Sequence, residues 1–215
     1  MNSYYSDTLY PLQDRVLKVL DTLETPFYLT GGTALSRCYF NHRYSDDLDL
    51  FVNKEPRFGA LAERIVNGLG FEFEVEVVLK SESYYSLMIN KILKLEMVND
   101  VAFRAGELER KDIFSRVDNV LNILSNKLSA IISRDEPKDV VDIWVISKKT
   151  PVNWPSIFQA VGSKAVGIFP PGVAERLVGF PTGLLKRVKW VEGKQPNADQ
   201  FMADIGDICD AMLKP

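Results

Sequence analysis

The spacing between Gly31-Gly32 and Asp47-x-Asp49 constrains this 215-residue chain more than any other feature. The short apolar run Phe27-Tyr28-Leu29 stops at the glycine pair, so it reads as a strand entering a tight turn. Thr33 to Phe40 reads as a short helix. Asp47-Leu48-Asp49-Leu50-Phe51-Val52 then alternates polar and apolar, the period of a half-buried strand. Residues two apart in a strand share a face, so Asp47 and Asp49 project together while Leu48, Leu50 and Val52 face a core. Two carboxylates on one face repel unless a cation or a proton joins them. Oxygen-only ligation of that kind suits Mg²⁺, which keeps waters and substrate phosphates in its shell. The Gly31-Gly32 turn before a helix offers backbone N–H groups to a phosphate, and Arg43 and Ser45 add a charged donor and a hydroxyl close by. Taken alone, a Gly-Gly pair is usually only a turn, and Asp-x-Asp at a strand start is usually a solvated edge or a cap. The order strand, Gly-Gly, helix, Asp-x-Asp strand is what favours a site.

The flanking pattern supports mixed architecture. Leu9, Leu12, Val16, Leu17, Val19, Leu20 and Leu23 lie close to helical spacing over residues 8–24, before Pro26. Arg57 to Leu69 is a second helix, closed by Gly70. Phe71 to Val77 alternates strictly, so a half-buried strand is expected there with Glu72, Glu74 and Glu76 on a solvated face. Tyr84 to Ile89 and Ile92 to Val98 read as further strands. Past residue 110 helical spacing takes over, at Val117 to Ser133, Lys138 to Ser147, Trp154 to Val166 and Asp199 to Leu213. Phe169-Pro170-Pro171-Gly172 reads as a loop. The expected fold is α+β, a mixed sheet with helices over residues 1–112 followed by a mostly helical domain over 113–215.

Composition narrows the class. Hydrophobic residues at 46% and charged residues at 26% exclude a disordered chain. No apolar run approaches the roughly 18–20 residues that span a bilayer, so no membrane partner is expected. Residues 1–21 carry Asp7, Asp14 and Asp21 and no apolar core run, unlike a secretory signal. Cys38 and Cys209 are too few for a disulfide framework, and the single His42 excludes any site built on two histidines. A soluble, cytoplasmic protein is the expectation. The net charge of −3 is a sum of unlike parts: −6 over residues 1–109 and +3 over residues 110–215. That split suits a carboxylate site in front and a cationic surface behind.

Gly-Gly followed about a dozen residues later by Asp-x-Asp on a strand resembles the nucleotidyltransferase superfamily fold of DNA polymerase β. The fuller pattern Gly31-Gly32-Thr33-Ala34-Leu35, then His42-Arg43-x-Ser45-x-Asp47-x-Asp49-Leu50-Phe51, resembles the AbiEii/AbiGii toxin family within it. The resemblance implies a third carboxylate on a neighbouring strand. Glu96 in Leu93-Lys94-Leu95-Glu96-Met97 is the best candidate, because a Lys-x-acid pair on this strand looks like the family's second motif; Asp100 is the fallback. Lys127, Arg134, Asp139 and Asp142 resemble its later motifs, a lysine-bearing helix followed by Arg-Asp-x-x-Asp. Here Lys138 stands where arginine is usual and lacks its bidentate fork. By spacing alone, Asp139 and Asp142 share a helix face, and a surface ion-pair network is the plain alternative.

What the resemblance implies is transfer of a nucleoside monophosphate from an NTP to an acceptor hydroxyl, releasing pyrophosphate, by a two-metal mechanism with Mg²⁺ or Mn²⁺. Asp47, Asp49 and Glu96 are the expected metal ligands. Gly31, Gly32, Thr33, Arg43 and Ser45 are expected at the nucleotide's phosphates. Lys127 is expected to offset charge in the transition state, and Asp139 and Asp142 to orient it or touch the nucleotide. The family further implies a type IV toxin countered by a separate antitoxin protein, with RNA such as the tRNA acceptor end as substrate. Two other classes share the fold: a small-molecule, antibiotic-type nucleotidyltransferase and a non-catalytic nucleotide-binding protein. His42 is expected to orient the motif at most, and both cysteines to pack. Lys186, Arg187, Lys189 and Lys194 around Trp190 suit either a helix end or a platform for single-stranded nucleic acid.

Overall fold

The computed structural model describes residues 2–162, 164 and 167–214. The N-terminal segment forms α1 (Tyr10–Thr22), entered through a π-helical turn over Tyr5–Leu9. Leu12, Val16, Leu17 and Leu20 make its buried stripe. Pro11 sits in its first turn, where its missing N–H leaves no helical bond unmade. Strand β1 (Tyr28–Thr30) is buried throughout and runs straight into α2 (Gly31–Thr33), which continues as a π-helix over Ala34–Phe40. That helix ends at Asn41 in the left-handed region, φ 47°, a conformation asparagine tolerates better than most residues.

Strand β2 (Leu48–Asn53) follows, then α3 (Phe58–Gly70), β3 (Val75–Lys80), β4 (Tyr84–Ile89), β5 (Leu93–Asp100), β6 (Glu109–Lys111) and β7 (Phe114–Val117). They form one mixed sheet in the order β3-β4-β5-β2-β1-β7-β6. Two pairings position the site. β2 runs antiparallel to β1 with Asp49 opposite Thr30, and parallel to β5 with Asp49 opposite Glu96. Leu48, Leu50 and Val52 of β2 and Leu93, Leu95 and Met97 of β5 are buried, so one sheet face is core and the acids lie on the other.

A second compact unit begins at α4 (Val120–Ser133) and continues with α5 (Pro137–Lys149), α6 (Trp154–Gly162), α7 (Pro170–Val178), a 3₁₀ turn at Thr182–Arg187 and α8 (Ala198–Leu213). Residues 1–102 with 107–119 form the first unit, and residues 103–106 with 120–215 the second. The sequence boundary at 112 lies in the turn between β6 and β7. α4 packs on α5, α6 and α7, and α8 on α5 and α7. Leu124, Leu128, Val141, Ile146, Val173, Leu177 and Phe201 fill the interior of this bundle. Asn197 caps α8, its side-chain oxygen accepting the backbone N–H of Asp199 at 2.8 Å. Among the described residues no helix is long and apolar enough to cross a membrane.

The structure departs from the sequence pattern in several places. Val117 closes β7, and the helix expected from it begins at Val120. The alternation from Phe71 suggests a strand, yet β3 starts at Val75 and Phe71 is 89% exposed. β3 is an edge strand paired only with β4, and its residues from Glu76 to Lys80 are all exposed, so the alternation marks no buried side. Pro170-Pro171 opens α7 rather than a loop, because prolines fit the first helical turn. β6 and β7 are only 3 and 4 residues long, too short for any alternation to declare them. α6 ends at Gly162; Ser163, Ala165 and Val166 of the expected helix lie outside the described residues.

Candidate active site

The glycine pair is shaped by what lies against it. Gly31 has φ +70°, and a β-carbon there would collide with the Asp49 carboxylate. Any other residue would meet both backbone strain and that clash. A β-carbon on Gly32 would collide with the Arg43 guanidinium and lie 2.9 Å from the Ser45 hydroxyl. The two glycines therefore let backbone approach an anion-seeking guanidinium, a hydroxyl and a carboxylate together. Gly31, Gly32, Arg43, Ser45 and Asp49 converge as the spacing suggested.

The loop from Arg43 to Asp47 is held from several sides. The buried Thr33 hydroxyl donates to the carbonyl of Asp47, and the Ser36 hydroxyl to the carbonyl of Arg43. Gln13, fully buried on α1, donates to the carbonyls of Ser45 at 3.3 Å and Asp46 at 3.0 Å. Tyr5 donates to Asp46 at 2.6 Å and stacks on Tyr44, ring centroids 4.1 Å apart. Burial pushes the Tyr5 hydroxyl far above its ordinary value, and the Asp46 bond adds to it, so it stays a proton donor. Arg43 itself is 4% exposed and donates to the Tyr44 carbonyl at 3.0 Å. Thr33 thus braces the lead-in to β2 through its side chain.

Asp47 lies one residue ahead of β2, outside the strand. Glu96, on β5, stands beside Asp49 in register. Its carboxylate accepts from the Tyr84 hydroxyl and from Lys94 at 2.6 Å. The hydrogen bond to Glu96 holds the Lys94 ammonium above the ordinary lysine value, and the Asp47 carboxylate adds to the same effect. Lys94 therefore lies within the electrostatic reach of both acids. Asp100, the fallback acid, accepts the Ala102 N–H at 3.0 Å beyond the apolar stretch of β5, where it shapes a turn.

No group of three or more histidine, cysteine or acidic side chains closes into a metal-ligand set among the described residues. The donor chemistry at Asp47, Asp49 and Glu96 is nonetheless oxygen-only and anionic, beside a glycine cradle that excludes a β-carbon. Donors of that kind suit a hard cation such as Mg²⁺ or Mn²⁺ rather than a soft metal.

In the second unit Lys127 is 6% exposed, and Asp139 and Asp142 are fully buried. Lys127 Nζ reaches Asp139 at 2.6 Å and Asp142 at 2.7 Å. Arg134 grips Asp139 at 2.7 and 3.2 Å through two nitrogens. Burial raises the Asp139 carboxyl, but the Lys127 charge and the Arg134 bond outweigh it and hold the group below the usual aspartate value. Lys127, Asp139 and Asp142 lie inside the bundle, and Arg134 reaches Asp139 from its surface with a side chain 52% exposed. Lys138 is exposed. Trp190 donates its indole N–H to the Leu185 carbonyl at 2.8 Å and meets Trp144 edge-on, so its ring is engaged in packing.

Sequence reasoning missed Tyr5, Gln13, Ser36 and Tyr84. Gln13 carries a signal in hindsight: it is a polar residue inside the apolar stripe of α1. It missed also Asp118, fully buried, which accepts from Thr30 at 2.7 Å beside the glycine turn.

A family profile described as "Nucleotidyl transferase AbiEii toxin, Type IV TA system" matches residues 15–167. Among solved structures the chain resembles JHP933 from Helicobacter pylori, with TM-score 0.61 and 19% identity over 95% of this chain and 90% of that one. A putative nucleotidyltransferase from H. pylori gives TM-score 0.60 and 18% identity over 96% and 95% of the two chains. MenT4, a nucleotidyltransferase toxin from Mycobacterium tuberculosis, gives TM-score 0.60 and 16% identity over 82% of this chain and 67% of its own. No curated protein sequence matches the chain.

Proposed function

This chain belongs to the AbiEii family of nucleotidyltransferase toxins, and from that premise we propose that it transfers a nucleoside monophosphate from an NTP to a hydroxyl of RNA, such as the tRNA acceptor end. The observation that carries the reading is the cradle in which Gly31 admits the Asp49 carboxylate and Gly32 admits Arg43 and Ser45. In the reaction the acceptor oxygen bonds to the α-phosphorus, the bond from that phosphorus to the β-phosphate oxygen breaks, and pyrophosphate leaves. Arg43 and Ser45 hold the leaving phosphates beside Gly32. Glu96, steadied by Tyr84 and Lys94, is assigned to the acceptor side, where its carboxylate takes the proton that the attacking hydroxyl loses. Asp47, Asp49 and Glu96 would hold Mg²⁺ or Mn²⁺, which supplies charge neutralisation and a lowered pKa for the attacking hydroxyl. Within the second unit Asp139 and Asp142 fix the buried Lys127 ammonium. The toxin acts inside its host cell and is countered by a separate antitoxin.

The test is incubation with each labelled NTP, Mg²⁺ and total RNA. Label on RNA is expected. Label on a small amino-sugar acceptor instead would assign the chain to the antibiotic-modifying class. Metal-dependent NTP binding without transfer to any acceptor would make it a binding protein. Growth on induction of wild type and of Asp47→Ala reads the toxin role: only the wild type should arrest growth, and equal growth of both would contradict it.

A further inference from the structure

Among the described residues β3 is the longer of the sheet's two edge strands, and it exposes three apolar residues in a row. Val77, Val78 and Leu79 are 43%, 57% and 55% exposed in succession. The register with β4 passes from Val77 opposite Leu87 to Leu79 opposite Ser86, so Val78 is an extra residue with no cross-strand partner on β4. An exposed edge strand presents unpaired backbone N–H and C=O groups, and natural sheets normally cover, charge or bulge such edges. Here the charges are arranged symmetrically about the apolar run: Glu76 before it and Lys80 after it, both exposed.

That symmetry selects a partner. We propose that β3 pairs antiparallel with β3 of a second copy of this chain, centred on Val78. In that register Val78 meets Val78, Val77 meets Leu79, and Glu76 of each copy meets Lys80 of the other. Both ends of the pairing then carry opposite charges, the arrangement that favours cross-strand neighbours. Lys80 bridges Glu63 within its own chain and keeps a 57% exposed side chain, so a second carboxylate can approach it. Glu74 and Glu82 would face each other beyond the strand ends, where Lys91 already offsets Glu74 at 3.1 Å. Strand addition of this kind draws affinity from main-chain hydrogen bonds and specificity from the side chains at alternate positions. The interface is isologous, so it closes at a dimer. It does not depend on the transferase reading.

Sedimentation equilibrium of the full chain from about 1 to about 500 μM reads it, since the interface is small and the dimer concentration-dependent. Wild type is expected to move from monomer towards dimer and no further. Glu76→Lys alone and Lys80→Glu alone place like charges opposite each other at both ends and should weaken the dimer by about tenfold or more. An equimolar mixture of the two variants should recover wild-type association, because each copy then supplies the sign the other lacks. Val78→Lys should give monomer at every concentration, with melting unchanged because this side chain is exposed and off the ladder. A wild type that stays monomeric overturns the proposal. So does a dimer indifferent to Val78→Lys, or a mixture no tighter than its components.

Discussion

Gly31 and Gly32 are the residues on which the site turns, because each gives up a side chain to something functional. Gly31→Ala must hold φ near +70° and displace the Asp49 carboxylate. We expect transfer to fall by more than about 100-fold, as misplacing a reacting group by about 1 Å does. Gly32→Ala instead pushes on Arg43 and Ser45 and should show mainly as weaker NTP binding, read by titration with a labelled nucleotide; unchanged affinity would separate this pair from the phosphates. Lys127 makes the opposite kind of contribution. Replacing it with Met leaves Asp139 and Asp142 buried with a compensating charge removed, which costs about 3–5 kcal/mol in such settings. Chemical denaturation measures this, and a loss below about 1 kcal/mol would show that water reaches the network. The pH sign follows from Asp139. Its folded pKa is depressed by Lys127 and Arg134 against the raising effect of burial. Its contribution to stability is therefore complete above the unfolded value of about 3.9 and is lost as pH falls through the lower folded value. Acid unfolding of wild type should steepen below about pH 4, and Lys127→Met should flatten that limb.

Elements show why some of this was legible in the sequence. β2 declares itself because Leu48, Leu50 and Val52 alternate with Asp49 and Phe51, and the structure buries that apolar face. Leu50→Ala should accordingly cost about 2–5 kcal/mol with the site's side of the strand untouched. The glycine turn and its distance to Asp49 were legible for the same local reason. The braces were not. Gln13 reaches Ser45 and Asp46 across more than 30 residues of sequence, and Tyr84 reaches Glu96 only because β4 and β5 pair. β3 misled because period-2 alternation records a half-buried strand only when something covers one face, and β3 is exposed on both faces from Glu76 to Lys80. α8 is legible to within a residue of its start but not its cap, which the structure supplies as Asn197: Asn197→Ala should cost about 0.5–2 kcal/mol, read as a shifted denaturation midpoint with unchanged slope.

For the whole molecule, the net charge of −3 averages an acidic first half and a mildly basic second half. The acids at Asp47, Asp49 and Glu96 concentrate negative charge beside the cradle, which suits an NTP only when cations accompany it. Transfer to RNA should therefore require divalent cation and should fall as monovalent salt rises, since phosphate contacts weaken as counterions compete. The Gly31–Asp49 and Gly32–Arg43–Ser45 cradle is where we expect the nucleotide to react. This is tested most directly by label transfer from NTP to RNA in wild type and in Asp49→Asn, compared at matched thermal melts. The isosteric change keeps shape and removes one negative charge. A folded Asp49→Asn protein with label transfer reduced by about 100-fold or more is expected; a folded variant that transfers label at the wild-type rate would place the reaction elsewhere.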